Sequence, residues 1–281
     1  MSTNPRRSLV TLLLLGALLA GCAAPDAVPT ATSAPSVSLQ PEAIGDFKLT
    51  IVFDNTTTNP QNLEGWGFAA VVDYGDHRLL FDTGGSGSVL LDNLRLVEVD
   101  PATIEAVILS HQHYDHINGL QALLDTGIHP IVYVPAEFTS AFKRQVEAKT
   151  TLVEVDDAVE IVPGVHTTHP IGSIVEEALV VETGDGAVVI TGCAHPGIVA
   201  IVREAQKVTG SPIALVAGGF HLGSASKSQV SSIIDELRQL GVQKVMPCHC
   251  TGDDAIALFR SAYGEDFVGG GVGSTIAISA N

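Results

Sequence analysis

The segment Ser110-His111-Gln112-His113-Tyr114-Asp115-His116 constrains this chain more than any other stretch. Three imidazoles and a carboxylate crowd together directly after the apolar run Ala106-Val107-Ile108-Leu109, which reads as a buried strand. Polar groups packed beside a core are costly unless they bind something, and imidazole and carboxylate are ligands that zinc, iron and manganese accept. A regular strand or helix cannot aim His111, His113 and His116 at one ion. A turn just after the strand splays them, with His111 and His113 toward one position and Asp115 and His116 toward a neighbouring one. That arrangement suits two divalent ions about 3.5–4 Å apart, as in two-metal hydrolytic sites.

Around this segment, strand-like runs alternate with amphipathic ones. Strands are expected at 48–53, 68–73, 78–81, 106–109, 131–134, 179–182, 187–190, 213–217, 244–246 and 275–279. Gly75-Asp76 and Gly184-Asp185-Gly186 mark two hairpins. Helical periodicity falls at 88–96, 118–124, 137–147, 198–207, 228–240 and 254–263. In the third of these, Phe138, Phe142 and Val146 form one apolar stripe, with Lys143 and Arg144 on the solvated face. A hairpin-rich first half followed by alternating helix and strand predicts an α/β fold of the α+β type, with mixed sheets flanked by helices.

The chain's beginning reads as targeting rather than fold. Arg6 and Arg7 precede the apolar run 12–20, too short to span a bilayer well, and the run ends in Leu19-Ala20-Gly21-Cys22. That ending resembles a bacterial lipobox, which implies cleavage before Cys22 and lipidation of its sulfur. Arg6-Arg7-Ser8-Leu9-Val10 also faintly resembles a twin-arginine signal. The expected organisation is a signal peptide over 1–21, a Pro-, Ser- and Thr-rich tether over 22–45 and one domain over 46–281. The product is expected to be exported and held to the membrane by its lipid. A formal charge of −17 argues against nucleic acid as a partner and leaves a small-molecule substrate. With Cys22 lipidated, Cys193, Cys248 and Cys250 remain, an odd number that excludes a full disulfide framework.

His111-Gln112-His113-Tyr114-Asp115-His116 and the upstream Phe81-Asp82-Thr83-Gly84 resemble two signatures of the metallo-β-lactamase superfamily. The resemblance implies a four-layer αβ/βα sandwich, two mixed sheets face to face with helices outside and metals at one edge. Thr191-Gly192-Cys193-Ala194-His195, Gly218-Gly219-Phe220-His221 and Pro247-Cys248-His249-Cys250-Thr251 resemble the subgroup named for a dihydropteroate-synthase-like activity. Carried over residue by residue, the resemblance implies that His111, His113 and His195 hold one ion and that Asp115, His116 and His249 hold another. Cys193 stands where a bridging aspartate is usual, so one ion or two remain open, as does a buried structural role for this thiol. His169, in His169-Pro170-Ile171-Gly172-Ser173, faintly resembles a third motif of other branches and is an alternative to His195.

Asp82 is expected either to hold a ligand imidazole or to cap a turn. Asp115 and His221 are the candidate catalytic groups, His221 having a plain core histidine as its alternative. Trp66, the single tryptophan, either stacks on a substrate ring or packs in the core. The cofactor is expected to be one or two divalent ions, zinc first, with iron or manganese open to the same donors. Three functions compete. One is hydrolysis of a phosphoester, phosphodiester or lactone; one is a transferase joining a pterin to an aminobenzene ribofuranosyl phosphate; one is a non-catalytic surface receptor for metal or solute.

Overall fold

The computed structural model describes residues 45–280. The expected signal peptide, Cys22 and the tether, save Gly45, lie outside the described residues. Strands β1 (Phe47–Phe53), β2 (Ala69–Tyr74) and β3 (His77–Phe81) run antiparallel. β4 (Ala106–Ile108), β5 (Ile131–Pro135) and β6 (Leu152–Val155) then add parallel to β3. A second sheet holds β7 (Glu160–Val162), β8 (Val165–Thr167), β9 (Leu179–Thr183) and β10 (Gly186–Thr191) antiparallel, then β11 (Ile213–Gly219) and β12 (Lys244–Cys248) parallel. β13 (Thr275–Ile278) returns to pair with β1 on the far edge of the first sheet.

The strands are apolar on both faces because both faces are covered. Leu49, Ile51, Phe81 and Ile108 from the first sheet meet Leu179, Val181, Val188, Ile190 and Met246 from the second, filling the space between them. The alternate residues point outward. Leu80, Val107 and Val132 pack under α1 (Gly87–Leu96), α3 (Leu120–Asp125) and α4 (Ser140–Glu147). Val189, Ile213 and Val245 pack under α5 (Ile198–Thr209), α6 (Lys227–Gln239) and α7 (Asp253–Tyr263). The result is two mixed sheets between two helical layers, as expected.

Every strand and helix read from the periodicity is present, with ends shifted by a few residues. Three strands, β6 to β8, lack a legible signal: each is short, two of them have three residues, and only three of their ten side chains are fully buried. The fourth-residue stripe on α4 does face the core, through Phe142 and Val146. Lys143 departs from the solvated role: its ammonium is 2.6 Å from Glu154 and also donates to the Ala136 carbonyl.

One buried polar group ties the loop after β1 to the helical layer. Asn93 on α1 donates to the Val52 and Leu63 carbonyls at 2.9 and 2.7 Å and accepts from the Leu63 amide at 2.8 Å. It is fully buried, so an alanine strands all three backbone groups. We expect Asn93→Ala to lower the unfolding free energy by about 2–4 kcal/mol in a denaturant titration.

Candidate metal centre

Six strands end along one edge of the sandwich, and each delivers a polar group just beyond its end. After β4 the chain turns at His111 and His113 and enters a one-turn helix, α2 (Tyr114–Ile117), that carries Asp115 and His116. This short helix is the splaying turn that the spacing requires. His113 Nδ1 lies 3.1 Å from both His111 Nε2 and His195 Nε2, so three ring nitrogens converge. His116 Nε2, His249 Nε2, Asp115 and Cys193 form a second group beside it: Asp115 Oδ2 is 3.3 Å from His249 and 3.7 Å from His116, and Cys193 Sγ is 3.3 Å from His116. Cys193 belongs to both groups.

The orientations are set from behind. Asp82, fully buried after β3, accepts the Ser110 amide at 2.8 Å, the Ser110 hydroxyl at 2.8 Å and His116 Nδ1 at 2.7 Å. Having given its own proton to Asp82, the Ser110 oxygen accepts from His111 Nδ1 at 2.9 Å. Both rings therefore turn their Nε2 toward the cluster. Only glycine fits at 192, because a Cβ there would overlap the Ser110 hydroxyl and come within 2.8 Å of Asp82. On the far side Asn55 plays the corresponding role. Its carbonyl oxygen accepts from the Gly67 amide and from His249 Nδ1, at 3.2 and 3.1 Å, which leaves His249 Nε2 unprotonated. Asp54 accepts the His249 amide at 2.9 Å.

This donor set fits a metal. His249 Nε2 is buried without a hydrogen-bond partner, and it faces a carboxylate oxygen that is equally electron-rich. With His111 Nε2 also unprotonated, only one of the two contacts made by His113 Nδ1 can be a full hydrogen bond. Burial, and then the neighbouring imidazoles, push the His111 pKa far down, and the same causes bring His195 to about 4. Both rings therefore stay neutral, as a metal ligand must. His116 goes the other way: burial lowers it, but the charge and hydrogen bond of Asp82 outweigh burial and raise it. Positive charge is therefore favoured at its Nε2. Burial raises Asp115, yet positive charge at the facing His249 and His116 nitrogens, from a proton or from an ion in its place, brings it to about 2, so it stays ionised.

Sequence reasoning missed several groups, Glu176 above all. It is fully buried, and its carboxylate accepts the amides of Cys193, Ala194 and His195 at 2.8–2.9 Å and the Thr191 hydroxyl at 3.0 Å. It thus shapes the whole loop that delivers Cys193 and His195. Ser110, Asn55 and Asp54 were also unforeseen, although Asp54-Asn55 directly follows a strand end. Four of the five non-glycine residues with positive φ among the described residues, Asp82, Ala194, His221 and His249, lie at this edge, where strain is held by the surrounding bonds. His221 is exposed at the rim with its ring 4.4 Å from that of His195, so it is not a core histidine. Trp66 is 55% exposed and its ring lies 5.1 Å from that of His249, so it is not core packing either. His169 corrects the sequence-based alternative. It is not brought to the cluster: its half-exposed ring faces Asp157 at 3.5 Å, on a separate pocket shared with His166, Glu160 and Glu204.

Comparison with known proteins places this geometry among relatives. The model of the metallo-β-lactamase superfamily matches residues 66–249. A 7,8-dihydropterin-6-methyl-4-(β-D-ribofuranosyl)-aminobenzene-5′-phosphate synthase of Methanocaldococcus jannaschii is 30% identical over 237 residues, covering 68% of this chain and 81% of that protein. The solved structure of Tm1679, described as a metal-dependent hydrolase of the β-lactamase superfamily, is 27% identical, with a TM-score of 0.70 over 83% of this chain and 99% of that one. The fold protein YhfI from Bacillus subtilis, 16% identical with a TM-score of 0.63, shares the fold.

Behind Asp82 sits a carboxyl with no partner. Glu177 is fully buried and neither side-chain oxygen makes a hydrogen bond. Burial first, then Asp82 and Glu137, push its pKa well above the usual glutamate range. The folded state therefore holds this proton more tightly than the unfolded chain, and stability falls as pH rises above the ordinary glutamate pKa. We expect Glu177→Gln to remove that decline, flattening the stability of the metal-free protein measured by denaturant titration from pH 5 upward.

Proposed function

The chain belongs to the metallo-β-lactamase superfamily, and from that premise we propose that it is a hydrolase acting on a small phosphoester, phosphodiester or lactone. One observation carries the reading: two adjacent donor groups are fixed from behind by buried hydrogen bonds but open in front. His111, Asp115, His116 and His249 are buried, His113 and His195 partly exposed, and His221, Trp66 and Tyr114 exposed around them. A receptor closes the shell of its ion, whereas a catalytic site leaves room for water and substrate.

In this reading His111, His113 and His195 hold one divalent ion, and Asp115, His116 and His249 a second, with Cys193 within reach of both. Ions bound there supply Lewis-acid polarisation and acidify water. The remaining work falls to the chain. Asp115 stays ionised and is placed to orient an attacking water by accepting its hydrogen bond. Asp82 and Asn55 keep three imidazoles in the ligating tautomer. His221, whose pKa is raised first by the facing Cys250, stands at the rim as the group to give a proton to the leaving group. Trp66 and Tyr114 offer flat faces for an organic substrate.

The synthase relative supports a second reading, condensation of a pterin with an aminobenzene ribofuranosyl phosphate. The expected lipobox at Cys22 weighs against it, since such precursors are cytosolic.

The test is direct. Zinc- or manganese-loaded protein should turn over at least one of a phosphomonoester, a phosphodiester and a lactone, and His111→Ala should lose both bound metal and turnover. Inactivity on all three, with condensation of the pterin and aminobenzene pair instead, overturns the proposal. For the proton donor, His221→Gln should cost about 10²-fold in kcat at unchanged content of the zinc or manganese loaded at the two donor groups. Asp82→Ala should weaken metal affinity about 10- to 100-fold in a chelator competition.

A further inference from the structure

Two of the three described cysteines stand apart from the core. Cys248 packs among the apolar residues between the sheets. Cys193 and Cys250 do not; they meet at the edge of the sandwich, where the Cys250 thiol points at the Cys193 carbonyl, 3.6 Å away. Both neighbour the site just described, yet Cys250 and its contact with His221 play no part in holding the two ions there.

Three donors converge at this point. Cys193 Sγ, Cys250 Sγ and a ring nitrogen of His221 lie within 4.8 Å of one another. Around a tetrahedral ion with sulfur at about 2.3 Å and nitrogen at about 2.0 Å, such donors stand about 3.5–3.8 Å apart. Small adjustments of three side chains therefore close the set.

The backbone is shaped to bring these donors together. The three come from the ends of three adjacent strands, β10, β11 and β12. Gly219 ends β11 between them, and a Cβ there would lie 2.7 Å from Cys250 Sγ and 3.3 Å from Cys193 Cα. Any larger residue displaces the Cys250 sulfur and crowds the Cys193 backbone. His221 reaches back toward them from a left-handed backbone, φ 53°. Burial is graded across the group, Cys193 buried, Cys250 intermediate and His221 exposed, so the position opens to solvent on the imidazole side.

We propose that Cys193, Cys250 and His221 form a third metal position, contiguous with the two nitrogen- and oxygen-rich groups but selective for thiophilic ions. Two sulfurs and one imidazole make a soft donor set, suited to zinc in excess, cadmium or copper(I) rather than to manganese or magnesium. Cys193 is common to all three donor groups. Filling the third position draws this thiol away from the other two and takes the His221 nitrogen out of the pocket. The assignment rests on the donor geometry and stands whether or not the protein is a hydrolase.

Cadmium is the probe. The reduced full chain and Cys250→Ser are titrated with cadmium, and bound ions per chain and near-ultraviolet thiolate-to-cadmium absorbance are read. The wild type should hold one ion more than the variant and show about twice its absorbance, from two thiolates against one. Equal stoichiometry and equal absorbance overturn the proposal. A second measurement needs no variant: cadmium should protect Cys250 of the wild type from iodoacetamide, followed by mass spectrometry of its peptide. Alkylation of Cys250 at an undiminished rate in cadmium-saturated protein also overturns it. Metal uptake and alkylation are read without any substrate, so failure here is distinct from failure of the hydrolase reading.

Discussion

The Asp82 carboxylate is the interaction on which the site depends. It is an anion buried at the end of a strand, and it is tolerable only because three donors converge on it. The same contacts lock the turn after β4, decide the tautomers of His111 and His116, and require glycine at 192 so that β10 can close on them. Nothing else among the described residues serves both as a structural anchor and as the reference against which two rings of the cluster are aligned. Its left-handed backbone, costly for a non-glycine residue, is held by that convergence.

Around this anchor the two sheets divide the work. The first sheet supplies Asp54, Asn55, Asp82 and the histidine turn; the second supplies Cys193, His195, His221, His249 and Cys250. The contact of Cys193 with His116 crosses between them. Glu176 sits on the second side as a counterpart to Asp82, a carboxylate spent on four donors of a single loop. One fixes rings and the other fixes backbone, so the cluster is held on both sides without a disulfide among the described residues.

The histidine segment was legible because its donors are contiguous and follow an apolar run that reads as a strand. His195 and His249 were legible for a related reason: each follows a strand end and lies in a short motif. Glu176 was not, since it acts on residues 15 to 19 positions later and has no local pattern to mark it. Asn55 works through a partner 194 positions away, and only the closed fold makes the pair. The strands β6 to β8 escaped because runs of three or four residues, few of them fully buried, carry no period. His169 was misleading in the opposite sense: its motif was plausible, but the fold turns it to a different face.

The 194-residue reach from Asn55 to His249 has a consequence for synthesis. A growing chain presents the histidine turn long before the last strands exist, and at that stage it offers only a partial and loosely aimed donor set. The second group is complete only when nearly the whole domain has left the ribosome and β12 has docked beside β11. Assembly of the full donor set is thereby tied to completion of the domain, and a chain that is still incomplete offers only part of it.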